Sequence, residues 1–319
     1  MTGLEGGGDL APGRGHGSQI AAARATGRRS AFRRRSARTG FLLVSPAFAL
    51  VCVFVLFPLA FAVYISLTNW PLIGPYHYIG LQNYRDLFSD PEFRHAVVFT
   101  FTYTAIVTPP IFLVGYGLAV LLRSNRPGAQ IFRTLYFLPF VVGLTTVSFL
   151  FAIELQPNSG GVDWLLSKLG VASASQAWTV THDRALIAIS LIVVWFASGL
   201  TMLILTGGMQ GIPRELYEAA DVDGASWWKK ELRITVPLLR RSIALSLIIS
   251  VIGSFLAFNQ FFILAQNNVS LETVVEWIYQ TGFSSYRLGY ATAMALFLVV
   301  VIGLVSMGQF LALRDDTEL

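Results

Sequence analysis

The side chains of this sequence that could act as nucleophile, base or metal ligand are few, and their spacing does not build an active site. The four histidines are His16, His77, His95 and His182. They lie far apart along the chain and show no metal-ligand spacing. Ser198 precedes Gly199, but no histidine stands in the same apolar run to activate it, so an intramembrane hydrolase is disfavoured. We therefore predict no catalytic residue and no metal site.

A different chemistry, hydrogen bonding to a passing solute, could be done by polar and aromatic side chains inside long apolar runs. A polar solute that crosses between apolar helices needs such groups at mid-membrane depth. Serine and threonine in membrane helices often bond only their own backbone or a neighbouring helix, so packing is the alternative role for each of them. The residues predicted to line a substrate pathway are Trp195, Ser198, Thr201, Ser250, Ser254, Asn259 and Gln260.

Residues 207–241 carry charges between two apolar runs, and their pattern predicts a helix, a turn and a second helix at the membrane surface. Pro213 suits a first helical position, and Glu215 and Glu218 complement the helix dipole. Gly224 then ends or bends this first helix. The positions that recur on one face of it are Leu216, Ala219, Ala220 and Asp223.

The second helix of this segment is expected to run from Trp227 to Arg233. Ser226 is predicted to cap its start, because a serine oxygen can accept a hydrogen bond from the free N–H groups of a first turn. Pro237 is predicted to stop the helix before the next apolar run, because proline lacks the N–H that would continue it.

Six long apolar runs must position these residues. The 319 residues are 54% hydrophobic and 13% charged, whereas soluble domains carry roughly a quarter charged residues. A helix of about 20 apolar residues crosses the hydrocarbon core, where backbone groups find no partner but each other. The runs are 42–66, 97–122, 134–153, 185–206, 242–265 and 289–312. The predicted fold class is an all-α integral membrane protein with six transmembrane helices.

Prolines inside three of these runs predict kinks, because each removes a backbone hydrogen bond. They are Pro58, the pair Pro109 and Pro110, and Pro139. The first run is too long for the apolar part of a cleaved signal peptide, which spans roughly 7–15 residues. We therefore predict that it is retained as the first transmembrane helix.

The distribution of positive charge predicts the orientation. Most of the 23 Lys and Arg residues fall on the side that contains both termini and residues 207–241. Those on the other side are Arg85, Arg94, Lys168, Arg184 and Arg287. Because positively charged loops stay in the cytoplasm, both termini of this multi-pass protein are predicted to be cytoplasmic.

The arginine-rich segment 1–40 has no apolar periodicity, so it is predicted to be a disordered cytoplasmic tail. It accounts for the net charge of +5, so the excess is local and does not indicate nucleic-acid binding. Its arginines could touch anionic lipid, and the alternative is a topology signal that does nothing else.

Within residues 207–241, Glu218-Ala219-Ala220 is followed at fixed spacing by Gly224 and by Ile234-Thr235-Val236-Pro237. This pattern resembles the EAA loop in the permease subunits of bacterial ABC importers, with Val236 where that family usually has leucine. The resemblance implies a MetI-like permease fold in a bacterial cytoplasmic membrane. The coupling residues that it implies are Glu218, Ala219, Ala220, Asp223, Gly224, Ile234 and Pro237.

The same resemblance implies the partners of the chain. A cytoplasmic ATPase subunit would receive the loop in a groove, with Gly224 providing the turn and Glu218 a charged contact. The expected assembly contains a second homologous permease, two ATP-binding subunits, an extracytoplasmic solute-binding protein and membrane lipid, but no nucleic acid. ATP and Mg are expected in the partner and no cofactor in this chain, which has no G-x-x-x-x-G-K-[ST] loop. The chain is thus predicted to be a transport subunit and not an enzyme.

Three further stretches resemble the carbohydrate-uptake branch of these permeases. They are Gly80-Leu81-Gln82-Asn83-Tyr84 with Phe88, Phe132-Arg133-Thr134-Leu135-Tyr136-Phe137-Leu138-Pro139, and Leu288-Gly289-Tyr290-Ala291-Thr292-Ala293. After Phe261-Phe262-Ile263-Leu264 that family often has a Gly-Gly-Pro turn, where this chain has Gln266-Asn267-Asn268. The expected cargo is a di- or oligosaccharide, for which Trp195 offers an aromatic face.

Other functions remain open for the same membrane fold. The cargo could be glycerol phosphate or a related polar solute, although no cation lies mid-span to hold a phosphate. An ion-coupled carrier is disfavoured, because no ionisable residue lies mid-span and Glu154 stands at an outer end. An ATP-independent channel is a third alternative.

The chain is predicted to consist of four parts. A cytoplasmic tail, 1–40, precedes a first transmembrane helix and outer loop, 41–96. A core permease domain, 97–313, contains helices two to six and the coupling loop 207–241. Residues 314–319 form a second cytoplasmic tail.

Overall fold

The computed structural model describes residues 43–123, 128–156, 159–170, 182–265 and 271–313. The predicted tails 1–40 and 314–319 and the segment Gln266-Asn267-Asn268 lie outside these residues. The chain divides into two compact units, Met1–Phe61 and Ala62–Leu319. Every regular element within the described ranges is a helix, as the apolar runs predict.

The helices are named in chain order, and four of them cross a membrane's thickness without a break. They are α1 (Leu43–Ser66), α2 (Gln82–Ser89), α3 (Pro91–Leu122), α4 (Ala129–Val142), α5 (Leu144–Glu154), α6 (Gly161–Lys168), α7 (His182–Gln210), α8 (Arg214–Val222), α9 (Trp227–Leu238), α10 (Arg240–Phe255), α11 (Asn259–Leu264), α12 (Val274–Tyr279) and α13 (Leu288–Leu313). The four long spans, α1, α3, α7 and α13, confirm four of the six predicted spans. The other two spans are bent pairs of helices.

The first bent pair replaces the predicted span 134–153. Helices α4 and α5 meet at 92° around Gly143. The backbone of Gly143 has φ +91° and ψ 143°, a conformation that a side chain would strain, so the bend requires glycine. The kink predicted at Pro139 is therefore misplaced, since Pro139 lies inside α4.

The second bent pair changes the predicted span 242–265. Helix α9 meets α10 at 73°, and α10 ends at Phe255, before α11 begins. The carbonyl of Ala257 in this gap accepts a hydrogen bond of 2.7 Å from Thr273 Oγ1, which satisfies a backbone group that a helix would otherwise pair. Asn259 and Gln260 therefore open a separate helix, whereas the prediction placed them on the same span as Ser250 and Ser254.

The other prolines for which kinks are predicted, Pro58, Pro109 and Pro110, lie within continuous helices. Helix α3 runs through Pro109 and Pro110, and α1 accommodates Pro58 after a π-turn at Cys52–Leu56. Helix α3 also begins earlier than its apolar run, because Asp90 caps it and accepts hydrogen bonds from two N–H groups of its first turn.

Helices α3 and α7 pack along their length and form the centre of the larger unit. Residues 207–241, called here the coupling loop, pack near the carboxyl end of α3, where Arg123 lies. We call this the loop end of the unit. Helix α12 packs near the amino end of α3, where Val274 N–H donates to Thr100 Oγ1, and this is the far end.

Candidate functional site

The first helix of the coupling loop, α8, presents an open face. Glu218, Ala219 and Asp223 are exposed, and so are the apolar Leu216 and Val222. Exposed apolar side chains that alternate with charges on a short surface helix are typical of a surface that contacts another protein. The predicted coupling residues thus share an accessible surface, with Ala220 half-buried behind it.

The turn after α8 is built around Gly224, as predicted. Gly224 has φ +67°, and its N–H donates to Asp221 O at 3.1 Å, while Ala225 N–H donates to Ala220 O at 2.9 Å. This pair of bonds is a Schellman motif, which places a left-handed residue directly after the helix. An added Cβ at Gly224 would meet no atom within 4 Å, so the requirement for glycine is one of backbone conformation.

The second helix of the loop, α9, differs from the prediction in two ways. Ser226 stands at its N-cap position, but its side chain makes no capping hydrogen bond. Pro237 does not stop the helix: a π-turn at Glu231–Thr235 leads into Val236–Leu238, and proline fits the first turn of that segment because no N–H is needed there. The chain turns instead at Leu239. Of the implied coupling residues on this helix, Ile234 is half-buried and Pro237 is exposed.

A buried carboxylate ties α9 to α3. Glu231 is 2% exposed, and its Oε1 lies 2.6 Å from Arg123 Nη1. Tyr116 donates its hydroxyl to Glu231 Oε2 at 2.8 Å. Sequence analysis missed this cluster, because its members are more than 100 residues apart and nothing in the pattern of α9 distinguishes Glu231 from a solvated acid.

A central cavity of about 360 Å³ lies between α3, α4, α7, α10 and α11. Four of the predicted pathway residues line it: Thr201, Ser250, Ser254 and Gln260. The other three lie outside its lining. Trp195 is 42% exposed and packs against Phe151, Ser198 is buried and donates to Trp195 O at 3.2 Å, and Asn259 is half-buried.

The hydroxyls of α10 form a regular series in this cavity. Ser246 donates to Ile243 O, Ser250 to Ser246 O and Ser254 to Ser250 O, at 2.9, 2.8 and 2.9 Å. Each hydroxyl therefore donates to a backbone carbonyl of its own helix, as expected from the alternative that these serines serve packing. Their oxygen lone pairs remain available, so each serine can still accept a hydrogen bond from a solute.

Gln260 is the polar group of the cavity with the least satisfied hydrogen-bonding capacity. It is 2% exposed, and its Oε1 has no hydrogen-bond partner within the described part of the chain. Its Nε2 lies 3.5 Å from the hydroxyl of Tyr103, a long contact. A buried amide oxygen without a partner is costly, so a ligand hydroxyl would be a favourable partner for it. Sequence analysis did not find Tyr103, which is apolar in pattern and fully buried.

The described residues that line the cavity carry no charge, whereas the far end contains a buried acid. Glu276 on α12 is 6% exposed, and its Oε2 lacks a partner among the described residues. Burial and, to a smaller extent, the nearby Glu272 raise the pKa of Glu276 to about 7, although a backbone hydrogen bond with Thr273 acts in the opposite direction. Among the described residues, no group of three His, Cys, Asp or Glu side chains could hold a metal ion.

Comparison with known proteins decides the family. Residues 97–315 match the model of the binding-protein-dependent transport system inner membrane component. The chain belongs to this family. The permease family that the EAA pattern resembles is thereby confirmed, together with its helical, membrane-spanning fold and its place in an inner membrane.

Several relatives cover most of the permease. The arabinooligosaccharides transport system permease protein AraP of Bacillus subtilis is 32% identical over 295 residues, 90% of this chain and 91% of that protein. The sulfoquinovosyl glycerol transport system permease protein SmoG of Agrobacterium fabrum is 33% identical over 261 residues, 80% and 83% of the two chains. The multiple sugar-binding transport system permease protein MsmF of Streptococcus mutans is 31% identical over 260 residues, 81% and 89%.

A solved structure shares the fold of the permease. It is a crystal structure of a bacterial alginate ABC transporter in complex with an alginate pentasaccharide-bound periplasmic protein. One of its chains superposes with a TM-score of 0.77 at 22% identity, covering 91% of this chain and 98% of that one. The likeness supports the MetI-like arrangement of helices.

Proposed function

We propose that this permease passes a di- or oligosaccharide through the central cavity and is driven by separate ATP-binding subunits that dock on the coupling loop. The observation that carries the proposal is covalent continuity. The coupling loop leaves α7, which carries Thr201 of the cavity, and enters α10, which carries Ser250 and Ser254. Any force on the exposed face of α8 therefore acts on two helices that line the cavity.

The cavity lining supports an uncharged polyol as cargo. It combines hydroxyl and amide acceptors with the rings of Tyr103, Phe140 and Phe196, and a sugar offers both hydroxyls and apolar C–H surfaces. Its volume of about 360 Å³ falls within the roughly 300–1,000 Å³ of small-molecule sites. The names of the relatives AraP and MsmF agree with this class, whereas the name of SmoG refers to a sulfonated glycoside, which carries a negative charge. Glycerol phosphate or a related polar solute is the alternative, and a phosphate would then be held by the partner permease.

The working assembly consists of this chain, a second homologous permease, two ATP-binding subunits on the cytoplasmic side and an extracytoplasmic solute-binding protein. The loop end and both termini face the cytoplasm. ATP and Mg bind in the ATPase pair, whose closure pulls on Glu218 and the Gly224 turn. The spans then open outward, accept the sugar from its binding protein and release it inward after hydrolysis, so this chain itself hydrolyses nothing.

The test is ATPase activity of the reconstituted complex, with and without candidate binding proteins loaded with defined sugars. Gly224→Asp and Glu218→Lys are compared with wild type, and Gly303→Ala on the exposed side of α13, outside the coupling loop and the cavity, serves as control. We expect one loaded binding protein to stimulate the wild type and the control, and neither coupling variant. Equal stimulation of both variants, with the subunits still assembled, would refute the coupling loop. Sugar uptake into vesicles without ATP would identify a channel instead.

A further inference from the structure

Glu231 is a buried acid of the loop end, and both oxygens of its carboxylate accept a hydrogen bond. Its carboxylate receives a guanidinium N–H from Arg123 at 2.6 Å and the hydroxyl of Tyr116 at 2.8 Å. Its side chain is 3% exposed, so little water competes for these contacts. Charge-assisted hydrogen bonds in such surroundings are short, strong and directional.

A second ion pair of the same loop serves as a comparison. Lys230 Nζ lies 2.6 Å from Asp221 Oδ1, but the Asp221 side chain is 63% exposed. Water and salt screen a pair of that kind, and it holds its two helices only weakly. The two pairs have equal length, but the carboxylate is buried in one and exposed in the other. Comparing them therefore separates the effect of an ion pair as such from the effect of a buried carboxylate.

Both helices of the coupling loop converge on the carboxyl end of α3. The π-turn of α9 places Glu231 and Thr235, four residues apart, on its buried side. Thr235 Oγ1 lies 2.9 Å from the hydroxyl of Tyr217 on α8, and the Arg123 guanidinium lies 5.7 Å from the centre of the Tyr217 ring. Arg123 is thus in contact with α9 through a carboxylate and with α8 through an aromatic face.

Helix α3 leads from this contact to the cavity. Arg133 Nε on α4 donates to the carbonyl of Leu122 at 2.9 Å, so the end of α3 is also fixed to α4. Further along α3, Ile111 and Tyr103 line the central cavity. The chain of contacts is therefore continuous from the coupling loop, through Glu231 and Arg123, to residues of the cavity wall.

We propose that Glu231, held by Arg123 and Tyr116, is the positioning residue that transmits movement of the coupling loop to α3. Covalent continuity connects the loop to α7 and α10, whereas the loop reaches the carboxyl end of α3 through side-chain contacts. The inference rests on the proposed coupling function of the loop. It assigns to these three side chains a role in moving α3, in addition to holding the fold.

Spin labels can measure that movement in the full complex. Cys52 is first replaced by serine, and labels are placed at exposed positions in two pairs, Val222 with Leu304 and Leu121 with Leu304. The first pair reports movement of α8 against α13, and the second reports movement of α3 against α13. Distance distributions are recorded by pulsed electron paramagnetic resonance, with and without a non-hydrolysable ATP analogue.

In the wild type we expect the analogue to shift both distances. In Glu231→Gln the distance from Val222 to Leu304 should still shift, but the distance from Leu121 to Leu304 should not. The exchange of charges, Arg123→Glu combined with Glu231→Arg, should restore the shift of the second distance. Asp221→Asn should behave as wild type. Tyr116→Phe, which keeps the ion pair, should reduce the Leu121 shift only in part and gives a milder variant if Glu231→Gln does not fold.

The outcomes distinguish the two proposals. If neither distance shifts in the assembled wild type, the proposed function of the coupling loop fails. If both shift in the wild type and both still shift in Glu231→Gln, the loop couples but Glu231 is only structural, and this inference is overturned. As a second readout, sugar-stimulated ATPase activity should fall about tenfold in Glu231→Gln, within the usual range for coupling between sites, and recover in the charge exchange.

Discussion

Glu231 and Glu276 are both nearly excluded from solvent, but their carboxyl groups have different hydrogen-bond partners at the two ends of the larger unit. At the loop end, Glu231 receives a guanidinium and a phenol hydroxyl. At the far end, Glu276 keeps one oxygen without a partner among the described residues, and burial raises its pKa to about 7. The loop end thus contains a fixed charge that connects helices, whereas the far end contains a carboxyl group that is readily neutral.

The largest expected effect is loss of the partner of Glu231. Arg123→Ala leaves a buried carboxylate with Tyr116 as its one remaining partner among the described residues, and removal of one partner from a buried ion pair typically costs about 3–5 kcal/mol. Thermal unfolding of the detergent-solubilised protein measures this cost. The matched control, Lys230→Ala, leaves the exposed Asp221 and should cost less than about 1 kcal/mol. Equal losses in the two variants would remove the distinction between the buried and the exposed pair.

The next effect concerns the pH dependence of Glu276. Its pKa is about 7 in the folded state against an ordinary value of 4.5, so the folded protein binds more protons than the unfolded chain between these values. Stability should therefore fall by about 2 kcal/mol as the pH rises from about 5 to about 7, and level off above that. Glu276→Gln should lack this fall, as measured by unfolding temperature at each pH. If the unfolding temperatures of wild type and Glu276→Gln change with pH in the same way, Glu276 does not titrate in this range.

A smaller effect is expected at the turn of the coupling loop. Gly224→Ala forces a side chain into the left-handed region at φ +67° and should destabilise the turn by about 1–2 kcal/mol. Hydrogen exchange of the amides in α8 measures the local loss. Gly207→Ala, with open space and an ordinary helical backbone, should stabilise α7 slightly or leave it unchanged. Unchanged exchange in Gly224→Ala would show that the Schellman motif does not hold the loop.

The smallest effect on stability is expected in the cavity. Gln260→Leu removes an amide whose oxygen has no partner in the described structure and whose nitrogen makes only a long contact, so stability should change by less than about 1 kcal/mol. Sugar uptake by the reconstituted complex should nevertheless fall. A large loss of stability would show that the Gln260 side chain stabilises the fold. The contrast between the well-bonded carboxylate at the loop end and the unsatisfied amide in the cavity would then be wrong.

The sequence predicts those features that depend on local chemistry. Hydropathy located α1, α3, α7 and α13, because transfer to lipid depends on composition alone. The Schellman end at Gly224 followed from one residue type at one position, and the EAA pattern led to the correct family.

Other features depend on conformation or on distant contacts. The bend at Gly143 lies in an uninterrupted apolar run, where hydropathy gives no sign of a change in backbone dihedral angles. The gap before α11 depends on Thr273, which supplies a hydrogen bond from the far side of the next loop. The partners of Glu231 are 108 and 115 residues away, so no helical period or motif spacing could reveal them.

The serine series on α10 has a consequence for the speed of passage. Ser246, Ser250 and Ser254 repeat every four residues, so their acceptor oxygens lie about 6 Å apart along the helix axis. Each donates its proton to a backbone carbonyl of its own helix, three residues back for Ser246 and four for Ser250 and Ser254, so each offers a solute only an acceptor oxygen. A row of such modest sites gives a shallow energy profile without a deep trap, as conduction through a pore requires. We therefore expect the turnover time to be set by helix rearrangement and not by escape of the sugar.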